Sequence, residues 1–94
     1  MRLVASGRAA RRVGRIGTHI SRDSPAAARR VEQALREAFD ALASQPGLGR
    51  PFGRNVRRYV VPRLPYLVFY RPDDLLDEVL ILTVRHARQR PIAG

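Results

Sequence analysis

Arg57-Arg58-Tyr59-Val60-Val61-Pro62-Arg63-Leu64-Pro65-Tyr66-Leu67-Val68-Phe69-Tyr70 decides how the rest of this chain is read. Its β-branched and aromatic residues predict two strands, joined by a short turn bounded by prolines. A third strand is predicted over Glu78 to Arg85, after the turn chemistry of Arg71-Pro72-Asp73-Asp74. The second half therefore reads as an antiparallel three-stranded meander. By simple alternation Val79, Ile81 and Thr83 share one face of the third strand, and Leu80, Leu82 and Val84 share the other. On the middle strand Tyr66, Val68 and Tyr70 oppose Leu67 and Phe69, so the sheet is apolar on both sides.

Toward the N-terminus, Arg2-Leu3-Val4-Ala5 reads as a short strand joining that sheet. Ser6 is placed to cap a first helix whose apolar positions Ala9, Val13, Ile16 and Ile20 recur at helical spacing. Arg8, Arg11, Arg12 and Arg15 lie mainly on its other side. Gly14 and Gly17 each cost about 1 kcal/mol relative to alanine, so this helix needs close packing with a neighbour. Ser24-Pro25 supplies the cap and first position of a second helix, with Ala27, Ala28, Val31, Ala34, Leu35, Ala38, Ala41 and Leu42 as its apolar stripe. The pair is expected to form an antiparallel hairpin.

Gln45-Pro46-Gly47-Leu48-Gly49-Arg50-Pro51 is expected to be a loop without regular structure, with Leu48 turned back into the core. The expected fold is α+β in two layers, forming one domain over residues 1–94: N-terminal strand, antiparallel two-helix hairpin, three-stranded antiparallel meander. One helical hairpin covers one face of a small sheet. The other face then either awaits a partner or is closed by the loop at 45–55 and the tail at 86–94.

The 94 residues, 45% of them hydrophobic, suffice for one core. There is no cysteine, hence no disulfide framework, thiol nucleophile or cysteine metal site, which fits a cytoplasmic protein. No apolar run has the length of a membrane helix or signal peptide, so no membrane partner is expected. The formal net charge is +10, and all 18 basic residues are arginine. Such a chain is attracted to polyanions: nucleic acid, the ribosome or an acidic protein. His19 has no second ligand at metal spacing, and Asp73, Asp74, Asp77 and Glu78 read as a solvated hairpin tip; no metal, cofactor or small-molecule substrate is expected.

Ser24-Pro25-Ala26-Ala27-Ala28, Pro46-Gly47-Leu48-Gly49-Arg50, Pro65-Tyr66-Leu67-Val68-Phe69-Tyr70-Arg71 and Val84-Arg85-His86-Ala87-Arg88, in that order, resemble the RelE/ParE superfamily of bacterial toxins over nearly the whole chain. The resemblance implies the toxic half of a type II toxin-antitoxin module, neutralised by a small antitoxin with an acidic and apolar C-terminal segment. Its ParE branch acts on DNA gyrase, and its RelE and YoeB-like branch cleaves messenger RNA on the ribosome.

RNA cleavage through the 2′-hydroxyl needs a base, an acid and cations on the phosphate. His86 with Arg85 and Arg57 would have to supply them. YoeB-like proteins carry a glutamate and an arginine near the middle strand and an aromatic after the histidine. Here Pro65 and Leu67 lie on that strand and Ala87 follows His86, and no tyrosine follows Tyr70 as RelE-like chemistry would need. The sequence is therefore more similar to the ParE branch: a gyrase poison without catalytic residues, silenced by a ParD-like antitoxin. Arg71, Arg85, His86 and Arg88 are the expected target contacts, and Tyr66, Val68, Tyr70, Leu80 and Leu82 the expected antitoxin contacts. A non-toxic basic nucleic-acid-binding domain is a third reading, resting on charge alone.

Overall fold

A computed structural model describes residues 1–88. The elements run β1 (Arg2–Ala5), α1 (Gly7–Asp23), α2 (Pro25–Ser44), β2 (Arg50–Pro51), β3 (Arg57–Val60), β4 (Tyr66–Asp73) and β5 (Glu78–His86). The strands form one mixed sheet in the order β1-β5-β4-β3-β2. β1 runs parallel to β5, and the other neighbours are antiparallel. Two helices on a sheet is the α+β architecture expected from the sequence.

Both helix starts follow from their caps. The Ser6 hydroxyl accepts from the Ala9 N–H at 3.0 Å and donates to the Leu82 carbonyl at 2.9 Å, which ties the first turn of α1 to β5. A single residue, Ser24, separates the helices. Its N–H closes α1 on the Ile20 carbonyl, and its hydroxyl accepts from the Ala27 N–H at 3.1 Å to open α2, with Pro25 at the first position. At the α1–α2 contact Gly17 is buried, and a Cβ there would stand 2.9 Å from a Glu32 carboxylate oxygen.

The core is closed by Ala9 of α1, by Val31, Leu35, Ala38 and Leu42 of α2, and by Val61, Val68, Tyr70, Val79, Ile81 and Val84 beneath them. Full burial of Leu35 and Leu42 is worth roughly 1.5–3 kcal/mol each relative to exposure. Val13, Ile16 and Ile20 pack along its margin, as their helical spacing requires.

Strict alternation fails on β5. The β4–β5 register pairs Phe69 with Thr83 but Tyr70 with Ile81, so Leu82 is an extra residue in a β-bulge. The bulge returns Val84 to the helix side with Val79 and Ile81, and it sends Thr83 to the opposite face beside Phe69, correcting the assignment made by counting. β4 also runs on through Asp73, where a turn is expected from the sequence. Beyond Tyr70 it has no β3 neighbour, so Pro72, lacking an N–H, breaks no ladder on that side. The reversal comes at Asp73 to Asp77, where the Asp73 carboxylate accepts from the Leu76 N–H at 3.1 Å.

The Pro/Gly segment differs from expectation twice. Arg50 and Pro51 form a short strand against Arg58 and Arg57, and Leu48 is 42% exposed rather than returned to the core. Tyr70 occupies the space instead, donating from its hydroxyl to the Pro46 carbonyl at 2.7 Å and accepting from the Gly49 N–H at 2.8 Å. Gly49 is required there, because a Cβ would lie 2.7 Å from the Tyr70 ring.

Candidate functional site

The sheet face turned away from the helices carries an arginine in successive cross-strand rows. Arg50, Arg58, Phe69 and Thr83 form one row, Val60, Leu67 and Arg85 the next, and Val4, Leu80 and Arg71 lie on the other side of the bulge. Phe52 leaves β2 and packs edge-on against Phe69 with ring centroids 4.9 Å apart, while the Arg58 guanidinium lies 5.6 Å from the Phe52 ring centroid. The loop at 45–55 therefore closes the centre of this face, leaving Phe69 and Thr83 buried and Val60 exposed. The part of the tail expected to cover it lies, from residue 89 on, outside the described residues. Thr83 Oγ1 is buried with no hydrogen-bond partner among the described residues.

The four expected target contacts do not form one cluster. Arg71 and Arg85 share the face away from the helices but are separated by four positions on β4, roughly 14 Å at about 3.4 Å per residue. His86 follows Arg85 and so points to the helix side, where its ring meets Tyr66 edge-on at 5.5 Å. Arg88 lies exposed just past β5, and its N–H donates to His86 Nδ1 at 3.0 Å. With Nδ1 accepting, the neutral ring carries its proton on Nε2.

The residues a ribonuclease would need are dispersed in the same way. Arg57 pairs with Tyr70, four positions along β4 from the Tyr66–His86 pair, and its guanidinium donates to the Gly49 carbonyl at 2.6 Å. Arg57 is thus a latch on the loop. Arg85 and His86 sit on opposite faces. Among the described residues no group of three or more His, Asp or Glu side chains is placed to hold a metal, and no helix is long and apolar enough to cross a membrane.

The expected antitoxin contacts need correction at two positions. Val68 and Tyr70 are fully buried under the helices and present nothing to another chain, because β4 is central in the sheet and these residues point into the core. Tyr66, Leu80 and Leu82 are half-buried and accessible. Burial also pushes the Tyr70 hydroxyl above its ordinary pKa, against the lowering effect of the Gly49 N–H and the Arg57 charge.

Beside His86 the fold assembles residues the sequence did not single out as a group. A cleft of about 330 Å³ between α1 and the ends of β4 and β5 is lined by Arg12, Arg15, Ile16, His19, Tyr66, Val84 and His86. Arg12, Arg15 and His19 are spaced to share one helical face, which was the available signal. Read along the helix, that face passes for solvated charge.

The family model described as ParE toxin of type II toxin-antitoxin system, parDE, matches residues 3–91. Y4kP of Sinorhizobium fredii, named as a candidate toxin, is 45% identical over 85 residues, covering 88% of this chain and 84% of that protein. A chromosomal ParDE system from P. aeruginosa contains a chain that superposes with a TM-score of 0.77 at 26% identity, covering 92% of this chain and 95% of that one. The intact E. coli RelBE toxin-antitoxin complex gives a TM-score of 0.71 at 15% identity, covering 94% and 98%, a likeness of fold alone. The RelBE2 complex of Mycobacterium tuberculosis gives 0.63 at 25% identity, covering 90% and 88%. On this match of nearly the whole sequence, the chain belongs to the ParE toxin family of type II toxin-antitoxin systems.

Proposed function

We propose that this toxin arrests growth in the cytoplasm by binding DNA gyrase, without cleaving RNA and without a cofactor, and that a ParD-like antitoxin silences it. The observation that carries this reading is the dispersal of Arg57, Arg85 and His86. Cleavage through a 2′-hydroxyl needs acid, base and phosphate-binding cations within hydrogen-bond reach of one site. Arginines spread over a sheet face bind a polyanion or an acidic surface and do not relay protons. The arginine rows interleaved with Leu67, Val60 and Leu80, on a chain of net charge +10, suit an acidic and apolar antitoxin segment.

A supercoiling assay with purified gyrase, relaxed plasmid and the free toxin tests the reading. Dose-dependent loss of supercoiling, reversed by adding the antitoxin, is expected. Undisturbed supercoiling together with codon-phased cuts in primer extension from induced cells would replace it with the ribosome-dependent endoribonuclease.

A further inference from the structure

Leu75 and Leu76, at the tip of the β4–β5 hairpin, are 98% and 64% exposed and add little to this chain's own core. Turns ordinarily take Gly, Asn, Asp or Ser at such places, so paired leucines are not what the reversal itself requires. The tip is nonetheless a built turn. Asp77 takes the left-handed conformation at φ 53°, its carbonyl accepts from the Arg2 N–H at 2.8 Å, and the Asp73 carboxylate accepts from the Leu76 N–H. Half of the chain's eight acidic residues, Asp73, Asp74, Asp77 and Glu78, flank the leucines, on a chain of net charge +10. Glu78 is paired with Arg2, and Asp74 and Asp77 are exposed. Carboxylates alone would make a solvated turn; the leucines are what call for a cover.

A surface of complementary chemistry lies on the same chain. Val60 and Phe52, 59% and 39% exposed, sit with Arg50 and Arg58 at the β2–β3 edge of the sheet. There apolar side chains are set among guanidiniums, and at the tip they are set among carboxylates. The other apolar hollows suit the tip less. Glu32 and Asp40 line the groove of Leu3, Val13 and Phe39 between the helices, and Glu37 lines that of Tyr59 and Leu64, so each brings a like charge against the tip. The tip cannot reach the surface of its own chain. Asp73 is four positions along β4 from Phe69, the cross-strand partner of Arg58, which is roughly 14 Å at about 3.4 Å per residue, and β4 is held there by its ladder with β5. Another molecule has to bring the two together.

We propose that the Leu75–Leu76 tip of one copy docks on the Arg50, Phe52, Arg58 and Val60 surface of a second copy, whose own tip docks in return on the first. Reciprocal exchange about a two-fold axis closes the pair, whereas one-way docking would build an open chain. Two small contacts make the dimer weak and concentration-dependent. It covers part of the arginine face offered above to the antitoxin, so the two occupants exclude each other. That exclusion rests on the antitoxin reading; the dimer itself does not, and it is read on the free toxin without any target.

Sedimentation equilibrium of the free toxin at low salt, over a range of concentrations, tests this. A monomer–dimer equilibrium is expected, weakened in about 0.5 M salt because the charged groups are exposed. Leu75→Ser/Leu76→Ser alters the tip, and Arg50→Glu/Val60→Ser alters the docking surface while leaving Arg58 on Phe52; all four positions are exposed, and native far-ultraviolet dichroism checks the fold. Each variant is expected to lose about tenfold in dimer affinity, and Arg29→Glu, at an exposed position of α2, less than about threefold. Mixing the tip variant with the surface variant is expected to restore part of the dimer, because one intact tip then meets one intact surface. A chain that stays monomeric at about 1 mM, as a tip made for some other basic partner would leave it, overturns the proposal. So does a mass that climbs past the dimer, an equal loss in Arg29→Glu, or a mixture with no more dimer than its parts.

Discussion

The Tyr70 hydroxyl donates to the Pro46 carbonyl at 2.7 Å, so a side chain from the centre of the sheet holds the loop that follows α2. The same oxygen accepts from the Gly49 N–H at 2.8 Å, and Arg57, the cross-strand partner of Tyr70, donates to the Gly49 carbonyl. Both backbone polar groups of Gly49 are thereby satisfied. The loop places β2, and β2 places Phe52 against Phe69.

Tyr70→Phe keeps the ring and removes both bonds, stranding a carbonyl and an N–H. A loss of roughly 1–3 kcal/mol is expected from urea unfolding, the cost of leaving buried polar groups unpaired. A loss within error would mean that other contacts hold the loop.

The same hydroxyl sets a pH dependence. Burial raises the Tyr70 pKa in the folded chain above the ordinary 10.0 that it has when unfolded. Above pH 10 the unfolded state therefore releases its proton first and binds fewer protons than the native state, so stability falls as pH rises. Below pH 10 the contribution is complete. Urea midpoints measured across pH 9 to about 11.5 should decline more steeply for the native protein than for Tyr70→Phe, and parallel curves would contradict the assignment.

Two glycines should respond with opposite sign. Gly14 is exposed in α1 with nothing within 4 Å of an added Cβ, so Gly14→Ala is expected to stabilise by about 0.5–1 kcal/mol. At Gly49 a Cβ would meet the Tyr70 ring at 2.7 Å and the Arg58 carbonyl at 2.9 Å, and Gly49→Ala is expected to destabilise by about 1–3 kcal/mol. Thermal midpoints of the two variants decide this.

On the face away from the helices, Arg71→Ala/Arg85→Ala is expected to relieve growth arrest while far-ultraviolet dichroism stays native. A tenfold weakening of target binding corresponds to about 1.4 kcal/mol, within reach of two lost guanidinium contacts. Undiminished arrest in a folded double variant would remove Arg71 and Arg85 from the target surface.

Leu80 and Val68 separate surface from core. Val68→Ala should cost about 1–3 kcal/mol of stability, since its side chain is wholly buried. Leu80→Ala, at a half-buried position, should cost less and instead weaken antitoxin binding, measured by calorimetry with the ParD-like partner. Antitoxin affinity unchanged by Leu80→Ala would place that contact elsewhere.

Read alone, the amino-acid sequence determined the order of the elements apart from the short β2, the Ser6 and Ser24-Pro25 caps and the two-layer architecture, because caps, proline positions and hydrophobic period act between near neighbours in the chain. Only the tertiary structure decided which side of β5 Val84 occupies. One unpaired residue at Leu82 shifts the alternation, and that shift exists only in the pairing with β4. It also decided that Tyr70 rather than Leu48 fills the space under the loop, and that Val68 and Tyr70 belong to the core instead of a docking surface. The meeting of His19 with His86 was illegible for the same physical reason: each belongs to a local pattern complete in itself, and their approach follows from packing α1 across β5.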